Sequence, residues 1–208
     1  KISNPKRLRD MDEAMAGADV LISLSTPGPH TIKPQWISRM AEKAIVFTCA
    51  NPVPEIYPHA AKAAGAYIVA TGRGDFPNQI NNSCGFPGIL KGALMVRASK
   101  ITDGMAIRAA HSLAEYARRR GIDAENIVPR MDEADVFAHE AAEVADQAVA
   151  EGVARLPLGR EEVFARAKAD IDATRALCHK MMDDGSIPAP PAELIQQALD
   201  FAAAQVGK

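Results

Sequence analysis

Three short apolar runs recur along the first part of the chain, and each ends in residues that stop a strand. Val20-Leu21-Ile22-Ser23-Leu24-Ser25 runs into Thr26-Pro27-Gly28-Pro29. Ile45-Val46-Phe47-Thr48-Cys49-Ala50 runs into Asn51-Pro52-Val53-Pro54, and Tyr67-Ile68-Val69-Ala70-Thr71 into Gly72-Arg73. β-Branched and aromatic residues bounded by Gly, Pro and Asn read as strands. Helix-forming segments separate them. Residues 34–43 carry Pro34 in the first turn and Trp36, Ile37 and Met40 on one face; residues 58–64 are closed by Gly65. Strand, helix, strand, helix, strand at this spacing predicts a parallel sheet with right-handed crossovers. The runs are almost wholly apolar, which predicts strands covered on both faces.

After residue 88 the pattern becomes helical. Helices are predicted over residues 87–99, over 103–120 with Ala106, Ala109, Ala110, Leu113 and Ala117 at helical spacing, and over 132–152 with Phe137, Ala141, Val144, Ala145 and Ala148 on one face. Leu156-Pro157-Leu158-Gly159 reads as a linker before two more helices, residues 160–184 and 191–206. Phe164, Ile171 and Cys178 recur every seven residues, too briefly for a coiled coil; this predicts a helix packed on its own domain, with a subunit contact as the alternative. The charged start over residues 1–9, a short helix over 11–18 and an immediate strand look like the middle of an α/β domain. The chain is therefore expected to be a piece of a longer protein. The fold class predicted is α/β: the distal half of a Rossmann-like parallel-sheet domain over residues 1–155, with a helical C-terminal extension over 156–208.

Composition narrows the function. The 208 residues carry a net charge of −2 and only 5% aromatic residues, so neither a basic stripe nor a stacking platform for nucleic acid is available. Three widely spaced cysteines, Cys49, Cys84 and Cys178, form no metal motif or disulfide framework, which favours a reducing cytoplasm. No apolar run approaches the length of a membrane span.

In an open parallel sheet, ligands bind beyond the carboxyl ends of the strands. Those ends here are Ser25-Thr26-Pro27-Gly28, Ala50-Asn51-Pro52 and Thr71-Gly72-Arg73. Gly28 and Gly72 would let a ligand approach the backbone. Beyond the third end, Asn81 and Asn82 bring neutral donors and acceptors on short side chains, suited to a small ligand bearing hydroxyl and carboxylate. Either asparagine could instead serve only as a cap or turn residue, and Arg73 could clamp a carboxylate or brace its loop. His30, His59, His111, His139 and His179 have no ligand-like spacing and read as surface or structural; Cys84 lacks a placed base. The glycine-rich fingerprint that grips a pyrophosphate is absent.

These segments together resemble the bacterial malic enzymes. The matching residues are Gly17-Ala18-Asp19-Val20, Ala50-Asn51-Pro52 with Pro54-Glu55-Ile56, and the run from Ala70-Thr71-Gly72-Arg73 through Asp75-Phe76-Pro77-Asn78-Gln79, Asn81-Asn82 and Phe86-Pro87-Gly88 to Gly92-Ala93. Ile127-Val128-Pro129 and Glu151-Gly152-Val153-Ala154 extend the likeness, which covers roughly residues 10–155. Gly74 stands where a Ser is commoner in the family.

The resemblance implies oxidative decarboxylation of malate to pyruvate and CO2, with NAD or NADP and a divalent Mg2+ or Mn2+. It implies substrate contacts from Asn51, Asn81 and Asn82, and cofactor contacts from Ser25, Thr26, Gly28, Asn51 and Asn82. The family's catalytic Tyr and Lys, its acidic metal ligands and its Gly-rich loop would lie before Lys1, so this chain alone is expected to be inactive, with no catalytic or metal-ligating residue of its own. A homo-oligomer is implied, with no nucleic-acid or membrane partner. Two alternatives remain: a non-catalytic nucleotide-binding or assembly module of the same fold, and a different dehydrogenase acting on an amino or hydroxy acid.

Overall fold

The computed structural model describes residues 4 and 6–206, so part of the charged opening run lies outside the described residues. Helix α1 (Met11–Met15) opens on the Asp10 side chain, which accepts from the Glu13 N–H at 3.0 Å. Strand β1 (Val20–Ser23), helix α2 (Pro34–Ile37), strand β2 (Ile45–Thr48), helix α3 (Pro58–Ala63) and strand β3 (Ile68–Thr71) follow. Pro34 and Pro58 both start their helices, where a missing N–H costs nothing. The sheet is parallel in the order β1-β2-β3, with Val20, Ile45 and Ile68 in one row and Ser23, Thr48 and Thr71 in another.

One face of this sheet holds the first core. Leu21, Val46 and Val69 pack with Met15, Ile32, Ile37, Ile56 and Ala61, which places α1, α2 and α3 on the same side. The opposite face departs from the expectation of cover on both sides. Val20 and Ile22 are 49% and 62% exposed, and their row mates Ile45 and Phe47 only half-buried. The cause is that α1 and the two crossover helices, α2 and α3, turn their apolar faces to one side, while the later helices pack on each other.

A 3-10 turn (Asn82–Cys84) leads into α4 (Phe86–Met95), α5 (Asp103–Arg120) and α6 (Asp135–Ala150). Thr102 caps α5 by accepting from the Met105 N–H at 3.1 Å, and Gly121, at φ 94°, ends it. Helix α6 is the hub of the second core: Val144, Ala145 and Ala148 meet Ala93 and Val96 beside α4, and Met105 and Ala109 of α5.

The chain divides into two compact units, residues 1–167 and 168–208. Helix α7 (Arg160–Asp183) buries Val163 and Ala167 in its first turns, with Val163 in the second core; beyond residue 167 no side chain of α7 is buried. Helix α8 (Ala192–Val206) exposes Leu194, Ile195, Leu199 and Phe201. The first unit is a Rossmann-like α/β arrangement, a three-stranded parallel sheet followed by helices. Among the described residues, no helix is long and apolar enough to cross a membrane.

Candidate functional site

The three strands end level, and their last residues are polar and buried: Ser23, Thr48 and Thr71. One carboxylate ties the first two ends together. Glu55, fully buried, accepts from Ser23 Oγ at 2.7 Å and from the Ser25 N–H at 2.7 Å through Oε1, and from the Ala50 N–H at 3.1 Å through Oε2. Burial alone would raise its pKa; the donors from Ser25, Ser23 and Ala50 outweigh that and hold the carboxyl below its ordinary value. Sequence reasoning gave Glu55 no role. Its signal was an acid inside the otherwise apolar Pro54-Glu55-Ile56, two residues of which also end fully buried beside it.

The segment after β3 is a looped excursion that returns to the strand it left. The Ile80 N–H donates to the Thr71 carbonyl at 2.7 Å, and Thr71 bridges Gln79 in parallel. Asn78 anchors the loop. It is buried at φ 56°, donates from Nδ2 to the carbonyls of Val69 and Ala124 at 3.0 and 2.8 Å, and accepts from the Ile127 N–H at 2.9 Å. Arg73 braces rather than waits for a ligand: it pairs with Asp75 through two nitrogens and donates to the Pro52 carbonyl at 3.1 Å.

Asn51 and Asn81 are brought to the same glycine. The Asn51 carboxamide lies so close to Gly72 that a Cβ there would stand 2.9 Å from Oδ1. Asn81 Nδ2 donates to the Gly72 carbonyl at 2.9 Å, while Asn81 Oδ1 accepts from the Ser83 N–H at 3.0 Å. The Asn81 side chain is thereby spent on structure, capping the 3-10 turn and holding the strand end. Asn82 is exposed, and its carboxamide has no protein hydrogen bond among the described residues. Ser25 turns its hydroxyl back to Glu55 at 3.2 Å and Ser23 Oγ at 3.1 Å. The carbonyls of Thr26 and Gly28 are taken by Thr31, through Oγ1 and N–H at 3.1 Å each, so this segment forms its own turn at the mouth of β1.

A cavity of about 440 Å³ lies between the strand ends and the helices. Leu24 and Cys49 reach it from β1 and β2, Asn81 and Asn82 from the loop, Gly85 from the start of α4, and Glu140 from α6. Ser25, Thr26, Gly28 and Asn51 are not on its wall. Burial, then Glu55, push the Cys49 thiol upward and keep it protonated.

Glu140 is the residue that sequence reasoning missed here. It is fully buried, with its carboxyl packed against the first turn of α4, where a Cβ at Gly88 would stand 2.1 Å from Oε2. Burial pushes its pKa up to about 8, against a weaker opposing pull from the Gly88 amide. The signal was present: Glu140 lies three residues after Phe137 and four before Val144, on the apolar stripe of α6 where a charge has no place without a reason. Among the described residues, no group of three His, Cys, Asp or Glu side chains could hold a metal ion. His139 packs between Tyr116 and Phe164, at 5.9 and 4.6 Å between ring centres, as a structural residue.

Comparison with known proteins agrees with this geometry. The family pattern described as "Malic enzyme, NAD binding domain" matches residues 4–149. The chain is 39% identical over 158 residues to the bifunctional malic/malolactic enzyme of Bacillus subtilis, covering 76% of this chain and 38% of that protein. It is 38% identical over 163 residues to the NAD-dependent malic enzyme of Geobacillus stearothermophilus, covering 78% of this chain and 32% of that protein. Among solved structures, the malic enzyme of Entamoeba histolytica superposes with a TM-score of 0.96 at 56% identity, over 99% of this chain and 42% of that one. The malic enzyme of Pyrococcus horikoshii gives 0.76 at 51% identity, over 82% of this chain and 39% of that one. The chain thus spans about two fifths or less of the length of these relatives. A family pattern covering most of the chain, with relatives and solved structures of one kind, places this chain in the malic enzyme NAD-binding domain family.

Proposed function

We propose that this chain supplies one wall of the active site of an NAD(P)-dependent, decarboxylating malate dehydrogenase. The observation that carries this reading is the meeting of Asn51 and Asn81 at Gly72, beyond the carboxyl ends of a parallel sheet. When bound, NAD or NADP supplies the acceptor for the hydride that leaves C2 of malate. The chain's own residues orient. Asn82, free of internal bonds, is the side chain best placed to hydrogen-bond malate, and Asn51 lies where substrate and nicotinamide would meet. Asn81 acts by holding the Gly72 carbonyl and the turn that presents Asn82. Ser25, Thr26 and Gly28 shape the cofactor side through the turn closed by Thr31. Neutral carboxamides position an anionic substrate without adding charge to the site.

The described residues hold no metal-ligand set, so no step here is assigned to a metal. Mg2+ or Mn2+ would be held by residues outside this chain. The cytoplasmic setting of this reading is supported by free Cys49, Cys84 and Cys178. Homo-oligomeric assembly and the lack of nucleic-acid or membrane partners rest on the family. The test is a steady-state assay of the full-length protein with malate, Mg2+ or Mn2+, and each nucleotide in turn. Pyruvate forming with at least one nucleotide is the expected result. No pyruvate with either would overturn the reading.

A further inference from the structure

We propose that Glu55 is a positioning residue: its carboxylate fixes the turn of residues 25–31 and the start of the Asn51 segment relative to each other, so that the nucleotide side and the substrate side of the site keep one spacing. This deepens the malate reading and rests on it. Glu55 is fully buried and acts through the backbone of the two segments. Its bonds are divided between them. Oε1 accepts from the Ser25 N–H at 2.7 Å, from Ser23 Oγ at 2.7 Å and from Ser25 Oγ at 3.2 Å. Oε2 accepts from the Ala50 N–H at 3.1 Å, one residue before Asn51. The Glu55 carbonyl adds a third hold, accepting from the Ile32 N–H at 3.0 Å. One residue thus grips the turn at the mouth of β1 at both its ends, at Ser25 and just past Thr31.

The anchor is itself fixed. Pro54 and Ile56 on either side are buried, and Thr48 Oγ1 donates to the Ile56 carbonyl at 3.3 Å. The Cys49 N–H donates to the Ser23 carbonyl at 3.0 Å, which closes the ladder between β1 and β2. The next amides on the two strands, Ser25 and Ala50, go to the carboxylate instead. Only an ionised carboxyl suits this place, because it offers about four acceptor sites on two oxygens and no donor. A carboxamide has one accepting oxygen. It can serve the Ser25 side or Ala50, while its NH2 group faces an N–H on the other. With three donors on the Ser25 side against one at Ala50, that oxygen would keep the turn and release the Asn51 segment. Hydride transfer is sensitive to such a release, since a 1 Å misplacement can cost ~10²-fold in rate.

The test is steady-state kinetics with malate, together with direct titration of NADH or NADPH by fluorescence, on the full-length protein. Glu55→Gln should lower kcat/KM for malate by ~10-fold or more while the nucleotide Kd changes by less than ~3-fold. Glu55→Asp keeps the charge and both oxygens but is one methylene short of spanning the two segments, so it should lose kcat/KM as well. It decides the matter if the Gln variant does not fold. Ile37→Val, buried in the first core, is the stability control: it should lower the melting temperature with kcat/KM held. Wild-type kcat/KM in a folded Glu55→Gln or Glu55→Asp protein overturns the proposal. So does a loss of kcat/KM matched by an equal loss of nucleotide-binding capacity, which is what a merely structural role would give. Absence of turnover in the wild type would instead overturn the enzymatic reading.

Discussion

Asn81 and Asn82 are neighbours in sequence with opposite duties. Asn81 spends both ends of its carboxamide inside the protein, on the Gly72 carbonyl and the Ser83 N–H. Asn82 keeps its carboxamide free at the cavity. Asn82→Ala is therefore expected to lower kcat/KM for malate by ~10-fold or more while leaving the melting temperature nearly unchanged. Asn81→Ala should cost about 1 kcal/mol of stability by removing two hydrogen bonds to partly buried backbone groups, read as a lower urea midpoint. Equal melting temperatures for the two variants would contradict this division. The pair was legible as a polar-ligand motif, but the division was not, because two identical side chains differ only in where the chain turns. Glu55 and Glu140 were illegible for a related reason. Burial of an acid depends on donors or empty space contributed by distant segments, such as Ser23 and Ser25 for Glu55 or Gly88 for Glu140.

At the scale of elements, α4 and α6 touch through missing side chains. A Cβ at Gly92 would lie 2.4 Å from the Ala141 carbonyl oxygen and 3.0 Å from Val144 Cβ. Backbone cannot yield as a flexible side chain can, so Gly92→Ala should destabilise by about 1–3 kcal/mol or more, the cost of overpacking. Gly159→Ala, with nothing within 4 Å of its Cβ, is the control and should cost less than about 1 kcal/mol in chemical denaturation, the loss at a helix N-cap. Similar midpoints for both would refute the close packing. The order of strands and helices was readable because apolar runs and Gly/Pro punctuation are local signals. Strand ends were less so: the predicted strands over 20–25 and 45–50 stop at Ser23 and Thr48, because the backbone at Ser25 and Ala50 turns to donate to Glu55. The bare face of β1 was also unreadable, since an apolar run does not say which of its faces a helix covers.

For the whole molecule, the two buried acids pull stability in opposite directions with pH. The Glu140 pKa is raised in the folded state, so its protonated form favours folding at low pH, and that advantage is lost as pH rises from about 4.5 through about 8. Glu55 is lowered, so its contribution is present above the unfolded value and lost as pH falls through the folded one. Urea midpoints across pH should show the alkaline decline flattened in Glu140→Gln and the acid decline flattened in Glu55→Gln; unchanged limbs would contradict these assignments. The likeness of most of the chain to one family was legible from the run between Ala70 and Ala93, in which Gly72, Asn78, Asn81 and Gly92 are each held by a contact in the fold. The central claim is that the strand ends gather carboxamides around Gly72 to meet a substrate. It is tested most directly by kcat/KM for malate in Gly72→Ala of the full-length protein. The added methyl displaces the exposed Asn51 carboxamide rather than backbone, so stability should hold while kcat/KM falls by ~10-fold or more. An unchanged kcat/KM in a folded Gly72→Ala protein would contradict the account.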